Sequence, residues 1–407
     1  MSLHLGPIFK TLRRHKIAAG LIVLEVGLSC AIICNAVFLI GHRLAAMQLP
    51  SGFAEQESVV LQLAPIRKEA NVDAATQRDL ALLRGLPGVQ QASVLNQVPF
   101  GDSSNNGGIS RSADAARPDA NASWYLAGEG WLASSGLRLL AGRDFHPEEY
   151  QSLALLRGQP DASIPGVLIS RTLAEHFFPG ESALGKEVYP GGNKPVKVLG
   201  VIETLGRVRP GDVQSQGDYA VVLPVRVGYD AGVYLLRAQA GQREAVIKAA
   251  RAALLQADRR RVFEPALGID ELRQRHFQQD RYMAWTLALV CLVLLVVTAL
   301  GIIGLANFWV RQRSRMIGTR RALGATRGQI LRYFQLENLL LSALGIALGM
   351  VAAYAINLAL MLNYQLPRLP LAYLPVGALA LLALGQLAVL GPARRAAALP
   401  PVQVLRG

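Results

Sequence analysis

The sequence predicts a membrane protein with an all-α transmembrane part of four helices and a large α/β (α+β) domain between helices 1 and 2. Three observations carry this: four long apolar runs, an uneven distribution of charge, and a mixed strand and helix pattern over 43–281. The 407 residues are 52% hydrophobic and only 17% charged, rich for a soluble enzyme and lean for a polytopic channel.

The apolar runs are 17–41, 283–310, 333–362 and 372–391. Each suffices to cross a bilayer, which takes about 20 residues at a rise of about 1.5 Å. Arg13, Arg14 and Lys16 precede the first run as they would in a signal peptide. The run far exceeds the roughly 7–15 residues of a signal core, and no small-x-small cleavage pattern follows, so it reads as a retained anchor.

Charge sets the orientation. Segments 1–16, 311–332 and 392–407 carry 4, 7 and 3 basic residues and no acid, whereas 43–281 carries 27 basic and 26 acidic residues. The net charge of +14 therefore belongs to three short flanks, which the positive-inside rule places in the cytoplasm. Domain 42–282 and the short loop 363–371 then lie across the membrane. The basic balance reports topology and supports no nucleic-acid partner.

In the outer segment, 58–63, 196–202, 219–225 and 233–237 read as β-branched strands. A helix is expected from Asp73 to near Gly85 and Pro87, and others at 170–178 and 241–257. Stretch 101–123 is polar and rich in Gly, Ser and Asn, and is expected to be a mobile loop. Cys30, Cys34 and Cys291 all fall inside apolar runs, so the outer domain is expected to fold without disulfides, and no Cys/His zinc spacing occurs.

Candidate chemistry is sparse. "GESALGKE" (180–187) approaches a phosphate-binding loop, but Glu187 stands where a Mg²⁺-binding hydroxyl is required and a helical pattern precedes it. Six scattered histidines lack metal-ligand spacing, and Ser134 and Ser135 lack the context of an activated nucleophile. No catalytic, cofactor-binding or metal-binding residue is assigned, and an enzyme has no positive support. Glu25, inside the first run, is read as a polar contact between helices, and Glu337 as paired with Arg332 or hydrated.

In "RSRMIGTRRALGAT" (313–326), a short helix should follow the second span, turn at Gly324, and restart with Thr326 and Gln329 as a capping box. On it Met316 and Leu323 align beside Arg313 and Arg320, with Ile317 and Arg321 in a neighbouring row. Such a ridge suits either anionic membrane lipid or a groove on a soluble partner. Further on, Ser342, Gly345 and Gly349 make a smooth face for close helix contact within the chain or with a second copy.

"RSRMIGTRRALGATRGQILRYFQLENLLLSALGIALG" (313–349) resembles the FtsX-type permease signature of the macrolide-exporter (MacB) and lipoprotein-release family of ABC transporters. "GLRLLAGRDF", "VLISRTLAEHFFPGESALGKEV" and "KVLGVIETL" resemble that family's periplasmic domain, and "GPARRAAALPPVQVLRG" its C-terminus. The resemblance implies FtsX/MacB topology in a bacterial inner membrane, as a permease without a fused ATPase. It makes 311–332 a cytoplasmic coupling helix and turn, with Arg313, Met316, Ile317, Arg320, Arg321 and Leu323 contacting a separate cytoplasmic ABC ATPase subunit that binds ATP and Mg. It further implies a second permease, identical or not, and, for an exporter, a periplasmic adaptor and an outer-membrane channel. Met316 stands where the family often has glutamate, which leaves open which ATPase face is matched. The work expected is efflux or secretion of a drug, peptide or other periplasmic substrate; the alternatives are signalling to a periplasmic enzyme and lipoprotein release.

Overall fold

The computed structural model describes residues 16–66, 71–159, 163–192, 194–208, 218–364 and 368–398. It separates into two compact units: a helical one, up to Ala45 and from Asp280 onward, and an α/β one, Ala46–Gln279.

In order, the described residues form α1 (Lys16–Met47), β1 (Ser58–Pro65), α2 (Val72–Arg84), β2 (Val89–Leu95), β3 (Asn106–Ser110) and β4 (Ala120–Ala127). Next come α3 (Trp131–Ser135), β5 (Leu139–Gly142), β6 (Gln151–Ser152), α4 (Leu153–Gly158), β7 (Val167–Ser170), α5 (Arg171–Phe177) and β8 (Glu187–Pro190). Strands β9 (Val196–Ile202), β10 (Ala220–Arg226) and β11 (Val233–Ala238) precede α6 (Arg243–Ala257), β12 (Arg261–Phe263), β13 (Leu267–Gly268) and α7 (Ile269–His276). The long helices α8 (Gln278–Gln312), α10 (Arg327–Tyr364) and α11 (Tyr373–Ala398) complete the described elements, with the short α9 (Ser314–Ala322) between α8 and α10.

Among the described residues four helices, α1, α8, α10 and α11, are long and apolar enough to cross a membrane. The α/β domain lies between the first and second of them. Each runs beyond its apolar stretch because backbone hydrogen bonding continues into polar flanks where packing supports it. The fourth reaches Ala398, with Ala393, Ala396 and Ala397 buried among its neighbours.

The main strand order of the α/β unit is β12-β1-β11-β2-β4-β3-β8-β9-β7-β10-β6. Strand β4 also pairs with β10 in parallel, so the path from β4 through β3, β8, β9 and β7 returns to it. On one side, α2 and α6 cover β1, β2 and β11 through Leu80, Leu83, Val246 and Leu254, packed against Val59, Leu61 and Leu236. Strands β10 and β11 are buried along nearly their whole length, which is why both read as continuous apolar runs.

Two expectations need correction. Helix α2 is capped by Asn71, whose side chain accepts from the Ala74 N–H at 3.0 Å, and Asp73 lies inside its first turn. Stretch 101–123 contains β3 and the start of β4. Polar residues form a strand there because β3 is held between β4 and β8 rather than by its own apolar pattern. Its Gly107 admits the Trp124 ring, since a Cβ would stand 2.6 Å from the indole.

One surface feature predicts a pH response. Arg143 donates two hydrogen bonds of 2.7 Å to the two carboxylate oxygens of Glu149, and the His146 N–H donates a third. The guanidinium bond chiefly holds the Glu149 carboxyl at about 2, below its usual 4.5. A depressed pKa contributes stability that is complete above 4.5 and lost as pH falls toward 2. Glu149→Gln should therefore lower stability at neutral pH and flatten its loss across that window, read as unfolding temperature of the full chain against pH. An unchanged acid slope would rule this pair out as a contributor.

Candidate functional site

The link between the second and third spans is built as its sequence suggests. Gly324 has φ +95°, its N–H bonds to the Arg321 carbonyl at 3.1 Å, and the Ala325 N–H bonds to the Arg320 carbonyl at 3.0 Å. This is the reciprocal pair of a left-handed helix stop. Thr326 and Gln329 then cap α10 mutually: the Gln329 N–H reaches Thr326 Oγ1 at 3.3 Å and the Thr326 N–H reaches Gln329 Oε1 at 3.0 Å.

The fold divides the six singled-out residues of this link into two rows. Arg313, Ile317 and Arg321, one turn apart, face inward. Arg313 and Ile317 are buried, and the Arg321 Nη1 donates to the Ala397 carbonyl at 3.0 Å. Met316, Arg320 and Leu323 face outward, Leu323 at 84% exposure, with the Arg320 guanidinium 5.2 Å from the Tyr333 ring centre. Of the six, Met316, Arg320 and Leu323 are thus the exposed ones, on a link where Arg315 and Thr319 are exposed as well.

Arg313 has another partner. Its Nη1 donates to Glu337 Oε1 and Oε2 at 3.0 and 2.7 Å, with side-chain exposures of 7% and 1%, while its guanidinium lies 5.3 Å from the Trp309 ring centre. Glu337 is therefore neither hydrated nor paired with Arg332, because the turn returns α10 alongside Arg313. Sequence reading missed this pair, although Glu337 is the single acid after Asp280.

The small-residue face meets α1. A Cβ at Gly349 would lie 2.5 Å from the Gly27 carbonyl oxygen and 2.6 Å from Cys30 Cβ, and one at Gly345 would lie 2.9 Å from the Val23 carbonyl oxygen. Ser342, 1% exposed, turns instead toward the fourth span: a Cβ on Gly385 would sit 3.2 Å from its Oγ. The glycines are thus occupied within the chain. Glu25 projects onto Gly301 of α8, and one turn further Ser29 and Thr298 share a 2.8 Å hydroxyl hydrogen bond, so the carboxylate stands at a helix contact.

Ser134 and Ser135 are buried and donate to the Trp131 and Leu132 carbonyls. In 180–187, Lys186 pairs with Glu181 and stands 4.7 Å from the Phe178 ring centre, and helix α5 precedes it. Among the described residues no group of three or more His, Cys, Asp or Glu could hold a metal ion.

Four candidate spans with a large α/β domain after the first and a capped, arginine-rich helix after the second describe a polytopic membrane protein. Comparison with known families specifies it further. Residues 28–261 match the MacB-like periplasmic core domain, and residues 288–401 match the FtsX-like permease C-terminal domain. The chain belongs to the MacB-like ABC transporter permease family.

Similar proteins include the macrolide export ATP-binding/permease protein MacB 1/2 of Paracoccus denitrificans, 27% identical over 97% of this chain and 57% of that protein. The uncharacterized ABC transporter permease YvrN of Bacillus subtilis is 28% identical over 59% of this chain and 61% of its own length. The pyoverdine export ATP-binding/permease protein PvdT of Pseudomonas aeruginosa is 28% identical over 60% of this chain and 38% of that protein. The periplasmic region of MacB from Actinobacillus actinomycetemcomitans aligns over 57% of this chain and 97% of its own, at 14% identity and a TM-score of 0.34. This chain spans 57% of the Paracoccus protein's length and 38% of the Pseudomonas protein's.

Proposed function

We propose that this chain is the permease part of a MacB-like exporter, in which ATP hydrolysis by a separate cytoplasmic ABC ATPase drives movement of the outer domain. The observation that carries this reading is the outer row of α9. Met316, Arg320 and Leu323 present two apolar groups and a guanidinium on a helix whose opposite face is fixed to its own bundle. Methionine and arginine are enriched at protein interfaces, and rigid backing lets a push on this face be passed on. ATP and Mg would be held by the ATPase. Two permeases and two ATPases would form the working assembly, joined in an exporter by a periplasmic adaptor and an outer-membrane channel.

The relatives' names give different cargoes, a macrolide and pyoverdine. The substrate class proposed is accordingly broad: a drug-like molecule or peptide already on the outer side of an inner membrane. The outer domain would act on it there, with no passage through a cavity between the spans.

The test is co-purification of the detergent-solubilised chain with the ATPases encoded beside it, comparing wild type with Arg320→Glu/Leu323→Glu. Removing two interface contacts should reduce bound ATPase by about tenfold or more, with the variant still monodisperse. Undiminished ATPase binding by a folded variant would refute the outer row as the docking surface.

A further inference from the structure

We propose that the buried Arg313–Glu337 ion pair is a clamp that makes α9 move with the third span, so that a push on α9 reaches the outer domain through α10 and α1. The inference rests on the coupling role proposed for α9 and assigns it a route. Chain connectivity alone leaves two routes, back along α8, which α9 directly follows, and on through the turn at Gly324 into α10. Three observations select the second.

Arg313 is the joint between α8 and α9. Its φ of −104° and ψ of 11° fall outside regular helix, so the two helices meet at a bend and not along a continuous rod. Arg313 is also where α9 is tied to α10. Glu337 receives both of its strong hydrogen bonds, and Arg313 Nε and Nη2 have no hydrogen-bond partner among the described residues. The guanidinium therefore has a single carboxylate to follow. Along the same face Ile317 is buried in the bundle core and Arg321 holds the Ala397 carbonyl, so the side-chain hydrogen bonds of this face lead to the third and fourth spans, while Arg313 also rests on the Trp309 ring of α8.

From Glu337 the path continues along one helix. Two and three turns on, Gly345 and Gly349 bring α10 against the α1 backbone, and Asn35 of α1 donates to the Ala353 carbonyl at 3.0 Å. Contacts between backbones leave no flexible side chain to absorb a displacement. Helix α1 then runs unbroken to Met47, at the entry to the outer domain. An ion pair this deeply buried contributes little net stability over an apolar pair of similar volume, and fixing register is its best-attested use.

The test uses the full chain in lipid nanodiscs and the variant Arg313→Met/Glu337→Met, which removes the clamp without stranding a buried charge. Single variants would leave one charge unpaired and so confound clamping with misfolding. With the native cysteines replaced by alanine, spin labels at Met316 and Leu339, both exposed, read the separation of α9 and α10 without any ATPase. The clamp predicts one narrow distance distribution in the parent and a broadened one in the variant. With the ATPase bound, a nucleotide analogue should change amide hydrogen exchange at 42–58 in the parent, and the variant should bind as much ATPase yet lose that change. Identical distance distributions, or a nucleotide response retained by the variant, would overturn the clamp. Failure of the parent to bind any ATPase would count against the coupling reading, while the distance measurement would still decide the clamp.

Discussion

Gly349→Leu is expected to unseat the first span from the third. A Cβ alone would lie 2.5 Å from the Gly27 carbonyl oxygen and 2.6 Å from Cys30 Cβ, and neither is the end of a flexible side chain. Two helices in backbone contact must then separate along their shared face. Overpacking of this kind costs about 3 kcal/mol or more when backbone has to shift. The expected result is a lower unfolding temperature in detergent, or loss of monodisperse protein. Gly304→Ala is the control, because nothing lies within 4 Å of a Cβ there, and exchanging Gly for Ala within a helix is neutral or favourable. Equal behaviour of the two variants would exclude the tight contact between α1 and α10.

The second large effect lies in the outer domain. Asp79 of α2 and Arg261 of β12 form an ion pair with side-chain exposures of 3% each. The Tyr234 hydroxyl donates to Asp79 Oδ2 at 2.6 Å, and the Arg261 guanidinium lies 4.3 Å from the Tyr229 ring centre. Asp79→Ala removes the acceptor of the Tyr234 hydroxyl and the nearer of two carboxylates beside Arg261, Asp258 remaining at 3.6 Å, with an expected loss of about 3 kcal/mol. For an m-value of about 2–3 kcal/mol/M this lowers the urea midpoint by roughly 1–2 M. Replacing both partners, Asp79→Leu/Arg261→Met, should recover most of it. Arg138, 77% exposed and 3.7 Å from Glu203, provides the contrast, with an expected loss under about 1 kcal/mol on substitution by alanine. If Asp79→Ala matched that surface variant, the buried network would not be holding α2 to the sheet edge.

What could be read from the sequence was what local chemistry enforces. Membrane spans follow from apolar length, and β9 was delimited because Val196–Ile202 is a short β-branched run bounded by Pro195 and Glu203. The stop at Gly324 and the restart at Thr326 were legible because a left-handed residue and a capping box are encoded within a few positions. Strand β3 was not, since its stability comes from β4 and β8 and its own residues look like a loop. The division of α9 into two rows escaped for a related reason. Helical spacing lists which residues share a face, but the face that is buried depends on where Glu337 and Ala397 arrive, 24 and 76 residues away. One clue was present: Glu337 is the lone acid among the last spans and had many arginines to choose from. Selecting Arg313 required the turn to be built first.

The pairing of β1 also sets the order in which the outer domain can be completed during synthesis. Its neighbours are β11, with Ser58 opposite Arg237, and then β12 and β13, with Val59 opposite Gly268. This strand therefore waits for strands made some 170–210 positions later, and closing such a distant pairing is slow. Until then β1 is an open edge carrying Val59, Val60 and Leu61, the kind of segment on which nascent chains aggregate. The last of these partners, β13, ends at Gly268, ten residues before α8 begins at Gln278. The domain thus becomes able to seal its sheet just as the second anchor is about to be made, which favours a chain tethered at its start and protected while it waits.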